Sequence, residues 1–135
     1  MHSPSSKTWI FAVGFALSAA YFLGCNSADD GPPRYKLSGT ANYQGKPISV
    51  GEISLTPDVA KGNDGPGSVA QIKDGKYETE ADGGIVGGAY VVRIAAFDGI
   101  PVGESSQGTP LLQQPYEEHV EFPKQDSTKD FNIDP

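Results

Sequence analysis

The chain has a single cysteine, a single tryptophan and only two histidines in 135 residues. One thiol excludes any disulfide staple within the chain and any cysteine-based zinc cluster. Histidines at positions 2 and 119 alone leave little for nucleophilic catalysis, which sets a base beside Ser, Thr or Cys. Positive charge is scarce as well, with ten Lys and Arg against 17 Asp and Glu, a formal charge of −7. That balance excludes nucleic acid as a partner, because affinity for a phosphate backbone comes from cationic contacts. Beyond residue 24 no apolar 3-4 spacing persists over three turns, and 17 Gly with 11 Pro argue against long helices.

What is present begins with an uncharged run, Trp9 to Gly24, behind a weakly basic head of Met1, His2 and Lys7. Cys25 follows at once, and then the polar stretch Asn26–Pro33. Basic head, apolar middle and small residue before a boundary make an export signal. With cysteine first beyond the boundary, Leu23-Gly24-Cys25 resembles the processing site of bacterial lipoproteins, whose thiol receives a diacylglycerol and becomes the mature N-terminus. The resemblance implies a signal peptide at 1–24, cleavage between Gly24 and Cys25, lipidation of Cys25 and a flexible tether at 25–34. It further implies an exported protein, anchored in a lipid bilayer and facing the periplasm or cell surface. Phe22 and Leu23 depart from the family pattern, which favours Leu and then a smaller residue. A retained anchor and an ordinary secretory signal remain open. The former needs about 20 apolar residues to span upright, and the latter leaves an oxidisable thiol. Loss of residues 1–24 removes Lys7 and no acid, leaving a formal charge of −8 on 111 residues, the size of one small domain.

Within that domain the periodicity is two. Tyr35, Leu37, Gly39, Ala41 and Tyr43 share one parity, which predicts a half-buried strand. Gln44–Pro47 reads as a turn. Ile48–Leu55 reads as a second strand with a bulge at Gly51 and a stop at Pro57. Asp74-Gly75 between Ser68–Lys73 and Lys76–Glu80 is a hairpin signal, with Val69, Ala70 and Ile72 on one arm and Tyr77 and Thr79 on the other. Ala89–Ala96 is β-branched and glycine-flanked. Tyr116–Phe122 and Ser127–Ile133 supply two more short strands, and 58–67 and 98–115 are loops. The 98–115 stretch is long for a compact domain, so it is functional or disordered. The expected fold is all-β, a single antiparallel β-sandwich of about seven strands over 35–135.

Three stretches carry a second resemblance. Leu37-Ser38-Gly39-Thr40-Ala41-Asn42-Tyr43-Gln44-Gly45-Lys46-Pro47-Ile48 resembles the opening strand and turn of carboxypeptidase regulatory-like, transthyretin-type domains. Asp74–Glu78 and Gly88–Ile94 resemble the later strands of the same family. The resemblance implies a transthyretin-like sandwich and a small envelope lipoprotein, and it implies no reaction.

Candidate chemistry is thin. His119 lies in Glu117-Glu118-His119-Val120-Glu121-Phe122, where alternation turns His119 and Glu121 to solvent and Val120 and Phe122 inward. The purine-pathway hydrolase branch of the transthyretin fold needs further histidines and a Tyr-Arg-Gly-Ser tail, and this chain ends Phe131-Asn132-Ile133-Asp134-Pro135. Zinc wants His and Cys clusters. Calcium wants several oxygens on one loop, and Asn63-Asp64-Gly65, Asp74-Gly75 and Asp82-Gly83 are each explained by turn chemistry. Glu117, Glu118 and Glu121 read as a solvated strand edge. A Lys36–Asn132 amide of the adhesin type needs a dry site, yet both residues fall on the polar parity. Tyr35, Tyr43, Tyr77, Tyr90 and Tyr116 could form a sugar platform, but core or half-core tyrosine on strands is the commoner case. No catalytic residue, metal site or cofactor is therefore expected. The reading is a non-catalytic interaction or structural module anchored through Cys25. Its partner would be an envelope protein or polysaccharide met by the 58–67 or 98–115 loop. A carbohydrate- or small-ligand-binding module is the alternative.

Overall fold

Local turn chemistry and side-chain parity set most of the architecture. The structure, a computed structural model, describes residues 31–135. The expected signal peptide, the Gly24–Cys25 cleavage point and residues 25–30 of the tether lie outside the described residues. Nine strands occur there: β1 Leu37–Tyr43, β2 Lys46–Pro47, β3 Val50–Pro57, β4 Ser68–Lys73, β5 Lys76–Glu78, β6 Gly88–Phe97, β7 Tyr116–Phe122, β8 Ser127–Thr128 and β9 Phe131–Ile133. A 3-10 turn at Val59–Lys61 is the only helical element among the described residues. The all-β expectation holds.

Seven strands pair in the order β2-β1-β5-β4-β3-β6-β7, every neighbouring pair antiparallel, as a curled sheet. Both two-residue hairpins sit where the sequence places turns. Gln44 and Gly45 have φ of 51° and 75°, and Asp74 and Gly75 have 50° and 75°. Positive φ at both centres matches the right-handed twist of the flanking strands. Alternation then sorts the faces. Ile53, Leu55, Ala70, Ile72, Tyr77, Tyr90, Val92 and Ile94 all point inward and are at most 4% exposed. Each large aliphatic chain buried this way contributes about 1.5–3 kcal/mol of transfer free energy.

The sequence reading departs from the structure at four points. Gly51 forms no bulge; it stays in register opposite Ile72 and Ala96, and a Cβ there would press on the Ala95 carbonyl. Ile48 is fully buried but precedes β3 rather than opening it. Val69 faces outward, 50% exposed, opposite in parity to Ala70 and Ile72. The last strand is two pieces, β8 and β9, and both run parallel to β1 instead of antiparallel.

That last departure has a local cause. The first half of β1 pairs with β5 and β8, and its second half with β2 and β9. Gly39 marks the change, with the Lys129 carbonyl packed where a side chain would begin. The Tyr77 hydroxyl donates to that same carbonyl at 2.6 Å. Burial, with the Asp130 charge second, pushes the Tyr77 phenol well above its ordinary value. Asp130 Oδ1 accepts from both the backbone N–H and the hydroxyl of Thr40 at 2.8 and 2.9 Å. A side chain thus takes the donor that a continuous ladder would have used, and the strand breaks between Thr128 and Phe131. The curl also brings β7 near this break, where Lys129 Nζ meets Glu118 Oε1 at 2.9 Å.

The strand registers give the domain two ends. Tyr35 pairs with Ile85 near the start of β1, and Arg34 donates to the Gly84 and Gly67 carbonyls. The 58–67 loop is therefore at the end where the chain comes in. Val50 stands opposite both Lys73 and Phe97, so the Asp74-Gly75 turn and the loop after Phe97 lie at the other end. β3 spans the distance, roughly 23 Å at about 3.3 Å per residue.

Candidate functional site

The loop after β6 is ordered, and one side chain orders it. Asp98 Oδ1 accepts from the backbone N–H groups of Ile100 at 2.9 Å and Thr109 at 3.0 Å. The backbone adds Asp98 N to Thr109 O, Gly99 N to Gln107 O and the paired Val102 and Ser105. Leu111 N returns to Ala96 O at 2.8 Å, and Leu111 and Leu112 pack against the core. The result is a pinned excursion whose tip holds Ile100 at 64% and Val102 at 59% exposure. Apolar side chains held out by a rigid scaffold suit recognition by a partner.

Those amide hydrogen bonds hold the Asp98 carboxyl below the usual carboxylate range, the Ile100 amide first and the Thr109 amide second. A folded-state pKa below the unfolded one means the contribution is present above the unfolded value, about 3.9. It is lost as pH falls through the folded value. Hydrogen-exchange protection of the Ile100 and Thr109 amides is expected to hold from neutral pH to about 4 and to drop together on further acidification. Asp98→Ala should show the unprotected behaviour at every pH.

A second arrangement occupies the outward face of the sheet. Strand parity puts Arg93 opposite Glu117 and Val91 opposite His119. Arg93 Nε donates to Glu117 Oε2 at 2.9 Å. Glu117 Oε1 lies 3.7 Å from His119 Nε2, and His119 Nδ1 lies 3.2 Å from Asp58 Oδ2. Asp58 comes from the loop after β3, with its side chain only 10% exposed, whereas that of His119 is 52% exposed. His119 faces solvent as expected, and its pairing with Asp58 is new. A buried carboxylate behind an imidazole is half of a hydrolytic triad. The other half is not formed, because the group before Nε2 is a carboxylate, not a hydroxyl.

A third feature is an open groove of about 810 Å³ along β1, β5 and β4, lined by Ser38, Thr40, Gln71, Lys73, Lys76 and Glu78 among others. Its charges are partly matched, since Lys36 pairs with Glu78 at 2.9 Å.

The remaining sequence candidates disperse. Asn63 donates to the Gly87 and Ala89 carbonyls and caps Gly65 N, which is turn chemistry. Lys36 is taken by Glu78, and Asn132 accepts from Asn42 at 3.0 Å, so the two are not brought together. Glu118 splits from Glu117 and Glu121, turning inward to Lys129 and the Tyr116 hydroxyl. Tyr77 and Tyr90 are core, and Tyr35, Tyr43 and Tyr116 pack on it half-buried. Cys25 and Gly24 lie outside the described residues.

Sequence reasoning missed Asp58 and Asp98. The Asp98 role had a local signal, an Asp-Gly pair opening a loop and able to bond its own backbone two residues on. Asp58 had none, since its partner is 61 residues away. Comparison with known proteins adds nothing to these geometries: no family model, no curated protein and no solved structure matches the chain.

Proposed function

We propose that this protein is a lipid-anchored module of the bacterial envelope, non-catalytic, held to the bilayer through Cys25. Its transthyretin-like domain presents the 98–112 segment to an envelope protein or polysaccharide. The observation that carries the reading is the position and build of that segment. It is pinned by Asp98, exposes Ile100 and Val102, and sits at the end of the strands away from Arg34, where the chain comes in. Of the two loops nominated from the sequence, 58–67 lies beside the incoming chain and would face the membrane to which the chain is tied. Only 98–115 would point outward.

The anchor is tested by substitution. Metabolic labelling with a fatty acid should label the wild-type chain and leave Cys25→Ser unlabelled and released from the membrane fraction. Label retained on the serine variant would remove the lipoprotein reading. The non-catalytic reading is supported by His119, whose outward nitrogen faces the Glu117 carboxylate at 3.7 Å.

A further inference from the structure

We propose that His119 and Glu117, backed by Asp58, form an open binding site for one divalent transition-metal ion of the imidazole-preferring kind, with Zn²⁺ as the probe. The argument starts at Asp58. Its carboxylate is nine-tenths buried, and the only side-chain hydrogen bond it makes among the described residues is to His119 Nδ1 at 3.2 Å. A carboxylate can only accept, so the ring carries a proton on Nδ1 and, when neutral, turns the Nε2 lone pair outward. Facing that lone pair is Glu117 Oε1 at 3.7 Å, a second acceptor. Arg93 Nε donates to the other Glu117 oxygen at 2.9 Å, which favours this orientation of the carboxylate. Two acceptors set face to face call for a positive centre between them.

The spacing suits a small cation. Ligands at about 2.0–2.2 Å from one tetrahedral ion stand roughly 3.3–3.5 Å apart, so the observed gap has to close by only a few tenths of an ångström. On a strand, residues two apart share a face, and Glu117, His119 and Glu121 form such a row on β7. All three are exposed, and Glu121 is in no ion pair among the described residues, which leaves it available as a third ligand. β7 pairs with β6 alone among the described strands, so solvent reaches the row from the side. A carboxylate behind the non-ligating nitrogen is the usual outer support of a metal-bound histidine. No three His, Cys, Asp or Glu side chains already converge as a metal-holding group among the described residues. The proposed site therefore has two ligands in place, Glu117 and His119, and needs Glu121 to swing in as the third. The sequence reading set Glu117 and Glu121 aside as a solvated strand edge; the fold places Glu117 before His119 and Asp58 behind it.

Calorimetric titration of the full chain in detergent with Zn²⁺ tests the assignment. A His2→Ala, Cys25→Ser background leaves His119 as the only imidazole and removes the only thiol. One ion per chain is expected. His119→Ala should weaken binding by at least about 100-fold, and Asp58→Asn by about 10- to 100-fold, the usual effect of losing an outer support. Should Asp58→Asn fail to fold, Glu117→Gln supplies the second variant, with weakened binding and an unchanged thermal transition. Binding that survives His119→Ala unchanged would overturn the proposal. So would no binding at millimolar Zn²⁺.

Discussion

Gly39→Ala should destabilise the domain by about 3 kcal/mol or more, at the upper end of overpacking effects. For a domain of this size that lowers Tm by more than about 12 °C. The reason is a backbone collision that no rotamer change can relieve. A Cβ at Gly39 points into the carbonyl of Lys129, and its next neighbours are the Lys129 carbonyl carbon and Asp130 Oδ1. Lys129 cannot retreat without losing its N–H bond to Ser38 O and the Tyr77 hydroxyl bond to its own oxygen. The parallel attachment of β8 and β9 to β1 should fail with it, exposing Phe131 and Ile133. Gly45→Ala provides the comparison. Gly45 has φ of 75° but open space around it, so it should cost only the left-handed strain of about 1–2 kcal/mol. Equal effects at the two positions in thermal melts would contradict the assignment of Gly39 as the close-approach point.

The second large effect belongs to Tyr90. It is fully buried on β6, meets Phe122 edge-on at 5.8 Å, and accepts from Val86 N at 3.0 Å through its hydroxyl. Tyr90→Ala should cost about 3–5 kcal/mol, as large-to-small changes in a packed aromatic core do. Tyr90→Phe keeps the packing and strands one N–H, for about 1 kcal/mol. Urea denaturation separates the two, with midpoints falling in that order and slopes unchanged. A phenylalanine variant as unstable as the alanine one would mean that the hydroxyl, not the ring, carries the site.

How much of this was legible in the sequence follows from range. The turns at Gln44-Gly45 and Asp74-Gly75 were readable because positive φ is a property of two adjacent residues. The faces of β5 and β7 were readable because parity is local. The course of β8 and β9 was not. It depends on Gly39 meeting Lys129 and on Thr40 giving its N–H to Asp130, residues 90 apart in sequence. The register of Gly51 was misread because glycine in a strand signals either a bulge or a close neighbour, and here the neighbour is the Ala95 carbonyl. The same limit governed function. His119 alone looked like an exposed polar residue, and only the fold supplied Asp58 behind it and Glu117 before it. The 98–115 loop showed its length but not its order, which comes from Asp98 reaching Thr109 across 11 residues.

Photo-crosslinking from the two ends of the domain tests the central claim most directly. Val59, 73% exposed on the loop beside the incoming chain, and Ile100, 64% exposed on the pinned loop, are matched in character and opposite in position. On the proposed anchoring, a photoreactive residue placed at each site in the chain of residues 1–135 should capture a partner in intact envelopes from position 100 and not from position 59. Capture from position 59 with none from position 100 would contradict display of the 98–112 loop away from the membrane.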